Sequence, residues 1–408
     1  MDAGHEIIEV LRRGIENRVF PGAVALVARE GKVLFFEDVG YRSLVPDRAP
    51  MTRDTIFDLA SLTKVFATVP TVMKLMDQGR VALDDSLSKL ILSANFGEKK
   101  DLSLRLLLTH SAGLIDWKPF YEKLREQPLK ERKRLLREWI IGEPFAYEPG
   151  KGSLYSDLGF MLLEWVIEEK TGETLPEFAQ KNFYGPLGLR RTVFRGTSEQ
   201  GNPPWPPFSK GEKNEGPKGG GRERAGERKS LDSRFRGNDD HRVHYPKEEF
   251  AATEHCPWRK RVLQGEVHDD NAWTLGGYSG HAGLFSTAEE IHVMANMLRE
   301  HYLGKRKDFF RPETVREFFK RQEIVKGSDW ALGWDKRALE DSSAGKHFSR
   351  DSVGHTGFTG TSIWMDLEKD VIAILLTNRV HPKRDNEKIK QFRPVFHDAV
   401  MESLGLAN

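Results

Sequence analysis

Ser61-Leu62-Thr63-Lys64 puts a hydroxyl and an amine three residues apart at the start of a helical pattern that runs to Gln78. Residues three apart share a helix face, so the Lys64 amine can reach the Ser61 hydroxyl. A helix N-terminus also favours negative charge developing there. The chemistry open to such a pair is nucleophilic attack by serine. A free lysine amine is almost wholly protonated at neutral pH, so activation requires burial or a further group. A plain N-cap would explain the serine equally well, and Ser-x-x-Lys is a common tetrapeptide.

Tyr155-Ser156-Asp157 supplies the further group. It follows the turn Glu148-Pro149-Gly150 and precedes a helical pattern from Leu158, so Tyr155 sits where a phenol can point into a cleft. Beside a lysine ammonium a tyrosine's pKa is expected to fall, because the phenolate is stabilised. Tyr155 and Lys64 could then share the general-base role. The alternative is that Asp157 caps the helix and Tyr155 packs. His355-Thr356-Gly357 comes third, just before Phe358-Thr359-Gly360-Thr361 and a β run from Ser362. Gly357 and Gly360 would let a substrate approach an edge strand closely.

These stretches are far apart in the chain and need a scaffold to join them. Residues 6–18 read as an amphipathic helix, and two β runs, Ala23 to Ala28 and Val33 to Val39, follow around a turn at 29–32. The far end mirrors this, with β runs Ser362 to Met365 and Val371 to Thr377 and a helix over Ile389 to Leu404. Between them lie helical patterns at Leu62 to Gln78, Leu102 to Leu108, Leu124 to Ile141, Leu158 to Lys170 and Leu175 to Asn182. The expected fold is α/β of the α+β type. One antiparallel sheet built from both chain ends is flanked by helices, beside an all-helical region. Residues 1–60 and 270–408 form the sheet region, 61–195 the mainly helical region and 250–269 a connection. Residues 196–249 carry Pro203, Pro204, Pro206 and Pro207, a glycine triplet and almost no apolar side chains, and read as a disordered low-complexity insertion. Its run Ser230 to Asp240 resembles translated short bacterial genomic repeats.

Taken together, Ser-x-x-Lys, Tyr-x-Asp and His-Thr-Gly in this order resemble the serine β-lactamase and penicillin-binding-protein superfamily. The closest likeness is to the branch of class C β-lactamases, DD-peptidases and family VIII esterases. Residues 57–64, 106–114 and 280–286 add to it. The resemblance implies that Ser61 is acylated, that Lys64 and Tyr155 handle the proton, and that the backbone amides of Ser61 and Phe358 form an oxyanion hole. It assigns Asp157, His355, Thr356 and Gly357 to substrate binding and leaves His110 and His281 structural. Two positions depart from the pattern. Relatives that act on β-lactams or peptidoglycan usually have asparagine where Asp157 stands, and lysine is common where His355 stands. A carboxylate at 157 would hold Lys64 protonated and shift the base role toward Tyr155. A partly charged histidine at 355 would hold a substrate carboxylate weakly. Both favour esters or D-amino-acid-type amides and peptides, with weak β-lactam turnover. A non-catalytic binding protein on the same scaffold is the rival reading.

Composition excludes other classes. The 63 basic and 61 acidic residues leave a net charge of +2, too little to steer the chain to nucleic acid. One cysteine, Cys256, rules out an intrachain disulfide and any cysteine-cluster metal site, and it fits a reducing compartment. There is no GxSxG elbow, so an α/β-hydrolase fold is unsupported, and there is no HExxH or P-loop; no metal or cofactor is expected. Val267 to Asn271 offers ligand-capable side chains in what reads as an ordinary loop. No apolar run approaches a membrane span, and the N-terminal residues lack a signal-peptide pattern. The reading as written is cytoplasmic, with export open if the start is misassigned. The expected partner is a small ester, amide or peptide; oligomeric state is not legible.

Overall fold

The computed structural model describes residues 3–197 and 245–407. The disordered insertion expected at 196–249 therefore falls mostly outside the described residues. Its described margins are tied to the fold: Thr197 N–H donates to Gly276 O (3.3 Å), and Ile56 N–H donates to Glu249 O (3.0 Å).

Seven strands form the main antiparallel sheet. In spatial order they are Ala49–Pro50, Lys32–Ser43, Gly22–Arg29, Val371–Thr377, Ser362–Asp366, Val353–Thr356 and Asp335–Lys336. The first hairpin turns at Glu30 and Gly31, both at positive φ (51° and 78°), the conformation whose twist matches the flanking strands. The two ends of the chain then meet in the middle of the sheet, where Ala23 faces Thr377 and Arg29 faces Val371.

Both central strands are buried on both faces, which is why they read as continuous apolar runs. Ala23, Ala25, Val27 and Leu375 pack under the terminal helices Ala3–Glu16 and Ile389–Ser403 through Ile7, Leu11, Phe396 and Val400. Val24, Leu26, Ile374 and Leu376 point the other way, into a core shared with Leu62, Val65 and Phe66. On this face the helix Ala288–Tyr302 packs against both central strands, and the helix carrying Lys64 shares the same core.

The connection expected over 250–269 is itself an antiparallel hairpin, Ala252–Cys256 with Arg261–Gln264. A small sheet joins Phe57–Asp58 to Leu284–Ser286 and Val193–Phe194. The helical pattern at 124–141 is split. Pro128, which cannot continue a helix, separates the single turn Tyr121–Leu124 from Leu129–Gly142. Among the described residues, no helix is long and apolar enough to cross a membrane.

Candidate active site

Ser61 sits on a tight exit from a strand. Ala60 takes φ 47°, a left-handed conformation unusual for alanine, and Asp58 Oδ1 accepts its N–H at 2.9 Å. Asp58 Oδ2 accepts the His268 N–H at 2.6 Å, so one buried carboxylate holds two loops together. Ser61 follows in the turn and the helix begins at Leu62.

That helix is not the regular one its periodicity suggests. Lys64–Thr68 is a π-turn, closed by Val69 N–H donating to Lys64 O, and an α-helix resumes over Val69–Asp77. Pro70 has no N–H to offer the carbonyl of Phe66, and the Tyr184 hydroxyl donates to that oxygen instead at 3.0 Å. π-turns inside helices often mark functional positions, and this one carries Lys64. Pro70 was the visible signal.

Tyr155 and Asp157 arrive from a helix start. Ser156, not Asp157, is the N-cap of Asp157–Thr171, and Asp157 is its first residue. Its carboxylate is free to face Lys64. Lys64 Nζ donates to Ser61 Oγ at 2.9 Å, to Tyr155 Oη at 2.7 Å and to Asp157 Oδ1 at 2.7 Å. Three donors thus meet three acceptors, with His281 O a longer contact at 3.5 Å. Tyr155 is also hydrogen-bonded to Ser61.

The electrostatics follow from burial and pairing. Burial opposes the Lys64 ammonium, but Asp157 and Tyr155 outweigh it and hold the amine's pKa above its usual value. For Tyr155, burial raises the phenol's pKa and the Lys64 charge only partly offsets this. The expectation of a lowered tyrosine pKa is therefore corrected. The ammonium acts as expected, and desolvation of the phenolate wins.

His355 also departs from its reading as a partly charged anchor. It lies 2% exposed in strand Val353–Thr356, with Nδ1 2.9 Å from Thr356 O. Burial, helped by Lys64, pulls its pKa down to about 3, so it is neutral across the physiological range. Its ring lies 5.9 Å from that of Tyr155. Gly357 is needed for closeness: a Cβ there would sit 2.5 Å from Leu59 O and 2.1 Å from Thr361 Oγ1. Thr359 Oγ1 donates to Asp58 O (2.7 Å) and Thr361 Oγ1 to Leu59 O (3.0 Å). Segment 357–361 is thereby fastened to the backbone just before Ser61. Among the described residues, neither the Ser61 nor the Phe358 amide donates to another protein group.

A second ion pair adjoins the first. His281 Nε2 lies 3.1 Å from Asp269 Oδ1. Burial opposes the imidazolium, yet Asp269 and Asp157 leave its pKa above the ordinary histidine value. Ligand atoms of Asp157, Asp269 and His281 lie within 4.8 Å of one another, the one such group among the described residues. A metal ion there would have to displace Lys64 from Asp157 and His281 from Asp269. In the rest of 267–271, Asp270 pairs with Arg259 at 2.6 Å, and Asn271 accepts from Tyr121 N–H at 2.8 Å.

Four further residues that no catalytic motif linked to the cluster adjoin it. His281 and Asp269 had no spacing signal linking them to Lys64. Trp330 stacks on Tyr155 (5.8 Å between centroids), whereas Trp334 packs in the core between Phe66 and Phe319. His110 lies 4.6 Å from Tyr155, ring to ring.

Comparison with known proteins identifies the family. The family model described as Beta-lactamase matches residues 7–394. A protein of Escherichia coli (strain K12), provisionally named a D-alanyl-D-alanine carboxypeptidase, is 30% identical over 405 residues, covering 94% of this chain and 85% of its own. An N-acetylmuramyl-L-alanine amidase of Bacillus subtilis (strain 168) is 29% identical over 380 residues, covering 89% and 78%. Among solved structures, EstCE1, a hydrolase with promiscuous acyltransferase activity, superposes with a TM-score of 0.68 at 19% identity, covering 98% of each chain. With its fold, its Ser-x-x-Lys helix and this match along nearly all its length, the chain belongs to the beta-lactamase family of serine hydrolases.

Proposed function

We propose that the protein hydrolyses small esters or D-amino-acid-type amides and peptides through an acyl-enzyme on Ser61, with weak turnover of β-lactams. The observation that carries this is the single ammonium of Lys64 bonded at once to Ser61 Oγ, Tyr155 Oη and Asp157 Oδ1.

Asp157 keeps Lys64 protonated, so the base is the Tyr155 phenolate stabilised by that ammonium. The Ser61 oxygen attacks the substrate carbonyl while its proton passes to Tyr155 Oη. The resulting oxyanion is held by the Ser61 and Phe358 amides, each such donor contributing about 3 kcal/mol to the transition state. Collapse breaks the bond to the leaving group, which takes the proton from Tyr155. Water then attacks the ester on Ser61, gives its proton to the same phenolate and releases the acid, restoring the hydroxyl. Because the Tyr155 pKa is raised, the rate should climb on the alkaline side.

A panel of p-nitrophenyl esters, nitrocefin and D-Ala-D-Ala peptides, run on wild type and Ser61→Ala, tests the reading. A fluorophosphonate should label wild type at Ser61 and leave Ser61→Ala unlabelled and inactive. Hydrolysis that survives in Ser61→Ala defeats the assignment.

A further inference from the structure

Resting on that reading, we propose that His110 is a positioning residue: its neutral imidazole and its carbonyl grip the chain on both sides of Tyr155 and fix the phenol against Lys64. The amide before Tyr155, Leu154 N–H, donates to His110 O at 3.0 Å. The amide after it, Ser156 N–H, donates to His110 Nδ1 at 3.0 Å. The tyrosine ring lies on the imidazole between these two bonds, with centroids 4.6 Å apart.

The grip is itself braced. His110 takes φ 54°, a left-handed conformation, and Tyr147 Oη donates to its carbonyl at 2.9 Å. Trp330 and Phe160 enclose the imidazole at 4.4 and 5.3 Å, and 2% of the residue is exposed. Because Nδ1 accepts from Ser156, its proton must sit on Nε2. Protonation of Nδ1 would remove the acceptor and release Ser156. The charged or titratable groups around it are Lys64 from the nucleophile's helix, Tyr155 from the loop and His355 from the strand. Burial, then Lys64 and His355, oppose a charge on His110 and favour the neutral ring that the grip requires.

Placement of the general base is what such a contact controls. A shift of about 1 Å in a reacting group can cost about 10²-fold in rate. Asparagine separates positioning from bulk. Its Oδ1 occupies roughly the place of Nδ1, and it tolerates positive φ. Phenylalanine keeps the ring and loses the acceptor, and glutamine carries its amide one bond too far out.

With a p-nitrophenyl ester, His110→Asn should keep kcat within about 3-fold of wild type, and His110→Phe and His110→Gln should lose about 10²-fold in kcat at similar KM. Their alkaline rise in rate should also be displaced, which a purely structural role would not cause. A folded His110→Phe or His110→Gln with wild-type kcat and pH profile overturns the proposal, as does an Asn variant as impaired as Phe. Should the Phe and Gln variants not fold, wild type decides. Histidine ¹⁵N spectra, assigned by the signal missing in His110→Asn, should show the Nε2–H form unchanged from pH 5 to about 9; the Nδ1–H form, or titration, refutes the grip. If the fluorophosphonate fails to label wild type at Ser61, the acyl-enzyme reading has failed instead.

Discussion

Two lysines, the buried Lys64 and the partly exposed Lys133, each meet a tyrosine and at least one carboxylate, and only Lys64 faces a serine hydroxyl. Lys133 Nζ donates to Glu164 Oε1 (2.7 Å), Glu168 Oε1 (2.5 Å) and Tyr278 Oη (3.1 Å). Lys64 has Asp157, Tyr155 and, where Lys133 has its second carboxylate, Ser61. Both ammoniums lie over their tyrosine ring, at 4.4 and 4.7 Å. Exchanging one anion for one hydroxyl separates a clamp from the proposed reactive centre. Around Lys133, burial is outweighed by two carboxylates and a phenol, and its proton is locked in place. Around Lys64 one carboxylate and one phenol do this, and the third donor is left to the Ser61 hydroxyl. The clamp also supports the centre: Glu164 Oε2 accepts from Ser279 Oγ and Gly280 N–H, both at 2.9 Å, immediately before His281.

Replacing each lysine should break the two clusters in opposite ways. Lys64→Met is expected to lower kcat for ester hydrolysis by about 10³-fold, measured in steady state, with the fold retained. Lys133→Met leaves Glu164 buried without its partner and should cost about 3 kcal/mol of stability, read from the urea midpoint, while the folded fraction keeps its kcat. A large loss of kcat there would erase the distinction between clamp and centre.

Smaller changes sharpen it. Asp157 is the one carboxylate that raises the Lys64 pKa through both charge and hydrogen bond. In Asp157→Asn the amine should lose its proton at lower pH, and the rise of kcat with pH should begin correspondingly earlier. A pH profile identical to wild type would count against a protonated resting Lys64. The smallest effect belongs to Tyr278→Phe. Burial pushes the Tyr278 phenol up to about 12, so it is never ionised near neutrality. Its loss should cost about 1 kcal/mol in thermal or urea unfolding and leave catalysis unchanged.

Much of this was legible in the residues. Alternating and continuous apolar runs at 23–28, 33–39, 362–365 and 371–377 marked the strands of the sheet, and their distribution to both ends implied its closure. Ser61, Lys64, Tyr155 and Asp157 could be named because their types and spacing carry chemistry locally. What failed was whatever depends on environment. Whether His355 is charged, or whether Tyr155 is more acidic than a free phenol, is decided by desolvation, which no linear pattern reveals. The π-turn at 64–68 was hidden for another reason, since a single proline in a strong helical period is easily overruled. His110 and His281 were read as structural because their partners lie 46 and 12 residues away through folded backbone.

The meeting of the chain's two ends in mid-sheet has a consequence for biogenesis. While the ribosome is still making the middle of the protein, strand Gly22–Arg29 has an unfilled side, because its neighbour Val371–Thr377 does not yet exist. The nascent N-terminal hairpin must wait through most of translation with an apolar, unpaired edge, the kind of edge that invites aggregation and chaperone capture. Segment 357–361 is synthesised equally late, so the backbone before Ser61 leaves the exit tunnel long before the segment that fastens to it exists.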